Sequence, residues 1–72
     1  MQVDNEAFGQ SAPVEQRTLL VVREALVLRH DMAARGERTT LKNVFLRIKN
    51  NHPDDFQYYG VYYQAIRRVL HI

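Results

Sequence analysis

Between Val14 and Ala33 apolar residues return with the period of a helix rather than of a strand. At about 100° per residue, Val14, Val21, Val22, Ala25, Leu26, Leu28, Met32 and Ala33 fall on one broad arc. Leu19 marks its edge, while Leu20 and Val27 lie on the opposite side. The pattern predicts a helix over about residues 12–35. Ser11 is placed to cap it, Pro13 suits its first turn, and Gly36 can end it in a left-handed conformation. A helix that is apolar over more than half its circumference is either centrally buried or carries a second seam, such as a homodimer contact. Arg29 projects within the arc. It either snorkels out along its stem or meets a carboxylate, with Asp54 and Asp55 the nearest choices.

The next two segments are simpler. Leu41, Val44, Phe45 and Ile48 stand at i, i+3, i+4 and i+7, predicting an amphipathic helix over about 40–51 capped by Thr39 or Thr40. Asn50-Asn51-His52-Pro53 must then turn, because proline disfavours helical geometry at the residue before it. A third helix is expected over about 54–71. Asp54 opens it, and Gln57 stands three residues on at capping-box spacing. Tyr59, Tyr62, Tyr63, Ile66, Val69 and Leu70 line its apolar face. Tyr58, Val61, Ala65 and Arg68 form a side stripe on which Tyr58 is the tyrosine expected to be exposed. Residues 1–11 show no periodicity and are expected to be a disordered, flexible tail. Phe8 stands out there as an aromatic able to dock on a core or a partner. The fold expected is therefore all-α, a small three-helix bundle over residues 12–72.

Size limits what such a chain can do. Seventy-two residues make one domain, burying only roughly 60% of the unfolded surface. There is no cysteine for a disulfide or a thiolate metal site. No basic-then-apolar leader and no apolar run of membrane-spanning length is present, so a cytoplasmic location without membrane contact is expected. The net charge of +2 is unevenly spread. Residues 1–31 hold three arginines against five acids, and residues 32–72 hold seven Lys and Arg against three acids. A basic second half suits an anionic partner, although a solvated face has the same composition.

Catalytic chemistry finds little to stand on. His30, His52 and His71 lack the i, i+4 spacing of a zinc site, Ser11 has no adjacent base, and the three glycines form no phosphate loop. Asp54 and Asp55 are explained by a helix start. No catalytic residue, metal ligand or cofactor is therefore assigned, and the chain is expected not to be an enzyme.

Two binding functions remain. A short helix, a tight turn and a third helix bearing Gln57, Gln64, Arg67 and Arg68 have the outline of a helix-turn-helix. Glutamine and arginine read adenine and guanine edges in the major groove, while Lys42, Arg47 and Lys49 could position phosphates. The stretch LKNVFLRIKNNHPDDF…YYQAIRRVL also resembles the second and third helices of forkhead-type winged-helix domains. Leu41, Val44, Phe45, Ile48, Pro53, Tyr63, Gln64, Ile66 and Arg67 carry that resemblance. It implies base-reading roles for Gln64 and Arg67. It departs at Tyr63, where the family has Trp, in the first helix, and beyond Ile72, where no residues remain for β wings. Against double-stranded DNA stand Asp54 and Asp55, at the helix end that would enter the groove. The leading expectation is a protein partner. Phe8, Leu20, Val27, Tyr58 and Arg68 would bind it, in a small phage- or plasmid-type regulator or inhibitor of a larger machine such as the transcription apparatus. The alternative is a helix-turn-helix transcriptional regulator that binds DNA through its third helix.

Overall fold

The computed structural model describes residues 13–70, which form three α-helices and one 3₁₀ segment. Helix α1 spans Val14–Ala34, α2 Leu41–Asn51 and α3 Tyr59–Leu70, with the 3₁₀ segment Pro53–Tyr58 between the last two. Each helix packs on the other two. Arg17 lies over the Tyr58 ring, and Arg29 reaches the carbonyl of Leu70. Helices α1 and α3 therefore run in the same direction, with α2 antiparallel to both.

The ends of the helices follow their capping chemistry. Gly36 adopts φ 78°, its N–H bonds Ala33 O at 3.0 Å, and the Glu37 N–H bonds Met32 O at 2.9 Å. This paired closure satisfies carbonyls that a helix end leaves bare, and the left-handed residue it needs is a glycine. Thr40 caps α2, its hydroxyl accepting from the Asn43 N–H at 3.2 Å. At the start of α1 Pro13 occupies the N-cap position with no side-chain cap. Ser11, Phe8 and the whole expected tail lie outside the described residues, as does His71.

The capping box expected at Asp54 does not form. No side chain caps the segment opening at Pro53, and the backbone kinks at Asp55 (φ −102°, ψ 22°). The Tyr59 hydroxyl donates to His52 O at 2.7 Å, with Lys49 O at 3.2 Å, and so ties the start of α3 to the end of α2. Asp55 is meanwhile drawn inward to Arg17 and Tyr62. These tertiary bonds favour a tight 3₁₀ turn before α3 begins.

Among the described residues eight side chains form the core: Val21, Ala25 and Met32 from α1, Val44 and Ile48 from α2, and Tyr62, Ile66 and Leu70 from α3. Leu41, Phe45 and Tyr59 pack around them, with Phe45 set edge-on to Tyr59 and Tyr63. Such edge-to-face pairs add about 0.5–1.5 kcal/mol beyond burial. Two expectations need correction, and a third is decided between its two alternatives. The buried stripe of α1 is narrower than its apolar arc, because Leu26 and Ala33 face solvent. Val69 is exposed rather than on the core face of α3. Arg29 meets neither Asp54 nor Asp55; its guanidinium donates to Leu70 O at 3.4 Å, since Asp55 is taken by Arg17 at the other end of the bundle.

Candidate functional site

A polar network closes the end of the bundle where α1 begins and α2 ends. The two Glu24 oxygens accept from Asn51 Nδ2 and meet His52 Nε2, each at 2.7 Å. Asp55 receives the Arg17 guanidinium at 3.3 Å and the Tyr62 hydroxyl at 2.9 Å. Burial pushes the Tyr62 phenol up to about 12, and the hydrogen bond to the Asp55 carboxylate adds to the shift. The network staples the Asn51–Asp55 turn to α1. Among the described residues no group of three or more His, Asp or Glu side chains is arranged to hold a metal ion.

Several candidate residues sit against neighbours that the sequence pattern did not indicate. Tyr58 is half-buried, with the Arg17 guanidinium 5.4 Å from its ring centroid. It is thus a packing tyrosine, not the exposed partner of Arg68, because Arg17 of α1 covers the ring. Arg47 is held by Glu37 at 2.9 Å, and Lys49 stands 5.3 Å from the centroid of the Phe45 ring. Glu37 also accepts from Arg35, and that bond holds its carboxyl below the usual carboxylate range. Arg47 is therefore paired to Glu37 at a partly exposed position. Lys42 is exposed and lies beside a groove of about 570 Å³ floored by Leu41, Phe45, Leu46 and Tyr63.

Two further open surfaces gather the remaining candidate residues. The first is the outward side of α1, where Leu20 and Val27 are 62% and 60% exposed. Leu19 and Leu26 join them at 64% and 42%, two residues that helical patterning placed at the edge or inside the core arc. Leu19 and Leu26, like Leu20 and Val27, are two turns apart, so four aliphatic side chains make two short rows. Arg23 stands one turn from all four, and among the described residues it has no carboxylate partner. The seven-residue repeat was the signal that could have found all four.

The second surface is the outward side of α3 and of the segment before it. Gln57, Gln64, Arg67 and Arg68 are all exposed there, and no acid occurs from residue 56 to residue 70. Asp55 is turned inward, while Asp54 beside it is exposed. Beside this face a groove of about 440 Å³ separates α3 from the first turns of α1. Val14 and Thr18 form one wall, Gly60, Val61 and Ala65 the other, with Arg68 at the rim. Gly60 had no role in the sequence pattern.

Among the described residues no strand is present and no helix is long and apolar enough to cross a membrane. No family model matches the chain, and no curated protein or solved structure matches it either. The forkhead likeness therefore stays a resemblance of a few residues in two helices and the turn between them.

Proposed function

We propose that this chain is a small non-enzymatic regulator that acts by docking on a larger protein assembly, with transcription machinery as the assembly class. The observation that carries the reading is the outward side of α1. Four large aliphatic side chains stand 42–64% exposed on a face that contributes nothing to the core. Isolated exposed leucines are ordinary, but a contiguous patch of them rimmed by polar residues marks an interaction site. Arg23 at its centre supplies the arginine that interface cores favour, and it would select a partner with an acid among apolar residues.

A second reading rests on a different observation, the acid-free outward face of α3 with Gln57, Gln64, Arg67 and Arg68. These side chains suit base edges and phosphates in a major groove, and the inward turn of Asp55 removes one of the two charges that opposed it.

One pair of variants separates the readings. Leu20→Ser with Val27→Ser should abolish capture of a protein partner and leave DNA titration unchanged. Gln64→Ala with Arg67→Ala should leave that capture intact. Titration of labelled duplex DNA at two salt concentrations should show binding no tighter than roughly 10⁻⁵ M, the ordinary non-specific level. Tight, steeply salt-dependent binding that is lost in Gln64→Ala/Arg67→Ala would instead establish the DNA reading.

A further inference from the structure

The groove between α2 and α3 takes no residue from the outward side of α1 or from the Gln64 and Arg68 face of α3. Leu41, Phe45, Leu46 and Tyr63 floor it, with Leu46 half-exposed, and Lys42 and Lys49 stand at its edge. Helix α2 contains no acid. Neither lysine has a carboxylate partner among the described residues.

Lys42, Phe45, Leu46 and Lys49 occupy positions i, i+3, i+4 and i+7 of α2. On a helix these are the four corners of a hole that accepts one apolar side chain from a second helix packed alongside. Here the two middle corners are apolar and the two end corners are cationic, about 10.5 Å apart along the axis. The Lys49 ammonium is 5.3 Å from the Phe45 ring centroid, which keeps it at the hole. Tyr63, edge-on to Phe45, closes the α3 side.

The complement of this surface is an apolar side chain with a carboxylate at each end. Two acids seven positions apart on a helix share a face at about 10.5 Å, with room for an apolar residue between them. An extended strand fits less well, because acids on one of its faces are about 7 or 14 Å apart. A nucleic acid would lay polar sugars and phosphates over the two leucines. An alkyl chain with one carboxylate would neutralise one lysine and leave the other. Helix α1 of a second copy offers Glu24 and Asp31 seven positions apart, with the exposed Val27 between them. Glu24, however, is already held by Asn51 and His52, each at 2.7 Å, so that pairing would break the network at the bundle end.

We infer that the α2/α3 groove is a docking site for an acidic amphipathic helix of a partner protein, one whose carboxylates stand seven positions apart around an apolar residue. That helix lies along α2 as a fourth member of the bundle, with its apolar residue between Phe45 and Leu46 and its carboxylates on Lys42 and Lys49. The site goes beyond the docking face of α1 and does not depend on it.

A capped synthetic peptide of about 18 residues, long enough to hold a helix, tests this on the full-length chain. It carries two glutamates seven positions apart around adjacent leucine and phenylalanine, in an alanine- and glutamine-rich background. In a nuclear magnetic resonance titration, amide shifts should centre on Leu41, Leu46 and Tyr63. Lys42→Glu with Lys49→Glu should weaken binding about tenfold or more, because both attractions become repulsions. A peptide with lysines in place of the two glutamates should bind that variant and not the original chain, which separates lost binding from lost folding. Leu46→Gln should weaken binding about as much, and Leu20→Ser with Val27→Ser should leave it unchanged. Absence of shifts at the groove overturns the inference, as do shifts centred on Leu20, Arg23 and Val27. Equal binding of a peptide with its glutamates five positions apart overturns it too, and so does equal binding of decanoate or duplex DNA at the groove. Shifts there that grow with protein concentration alone and vanish in Asp31→Lys would give the groove to a second copy and overturn it as well.

Discussion

Tyr62 shows how one side chain can serve the core and a polar network together. Its ring is fully buried, yet its hydroxyl reaches Asp55, which also holds Arg17. Burying a phenol without a partner would cost about 1–3 kcal/mol, so the carboxylate is part of what makes this position tolerable. The same surroundings favour the neutral phenol. A folded value of about 12 against an ordinary 10 means that the contribution to stability is complete below pH 10 and is lost as pH rises towards 12. Urea unfolding measured across that range should show stability falling, and Tyr62→Phe should flatten part of the fall. An equally deep fall in Tyr62→Phe would place the alkaline transition elsewhere. Glu37 behaves in the opposite sense. Its lowered value makes a contribution present above 4.5 that fades as pH drops, but the group is exposed and solvent screens it.

At the scale of elements, the two described helix-region glycines make a contrast. Gly36 closes α1 at φ 78°, where any side chain is strained, while Gly60 sits in ordinary helical backbone with open space around it. Gly36→Ala should therefore destabilise the fold by about 1 kcal/mol, and Gly60→Ala should stabilise α3 by up to about the same amount. Thermal melting of the two variants should move the midpoint in opposite directions. If both lower it, Gly60 has a packing role that its empty surroundings do not reveal. The link between α2 and α3 follows similar logic. Pro53 ends one helix, and bonds from Tyr59 and Asp55 shape the 3₁₀ turn that leads to the next.

The whole molecule divides its apolar residues unevenly between inside and outside. Among the described residues eight buried side chains carry the core, and four aliphatics of α1 stand outside it. Domains hold only roughly 0.05–0.15 kcal/mol of stability per residue, so a core this small has little in reserve. Ile48→Ala should cost about 2–5 kcal/mol, enough to leave a substantial unfolded fraction at room temperature. Leu20→Ser with Val27→Ser should change stability by no more than about 0.5 kcal/mol, because neither side chain is buried. Chemical denaturation of both variants checks the contrast. Equal losses would mean that the outward side of α1 supports the fold rather than a partner.

Much of the architecture was legible along the chain, for physical reasons that are local. The i, i+3, i+4, i+7 spacing of Leu41, Val44, Phe45 and Ile48 marks the inner side of α2, and Thr40 and Gly36 mark helix ends through their own backbone bonds. The all-α, three-helix class follows from such periods. What lay beyond the sequence was every choice made between helices. Periodicity could say that α1 is apolar on most of its sides but not which stripe α2 and α3 would cover, so Leu26 read as core and faces solvent. It could place Asp54 and Asp55 at a helix start but not send Asp55 inward to Arg17, a residue 38 positions earlier. It could count four tyrosines within six positions but not foresee that Arg17 would cover Tyr58. Local spacing determined where helices form and end. Only tertiary packing decided which charges are neutralised and which surfaces stay open, because burial and ion pairing depend on neighbours that are distant in the chain.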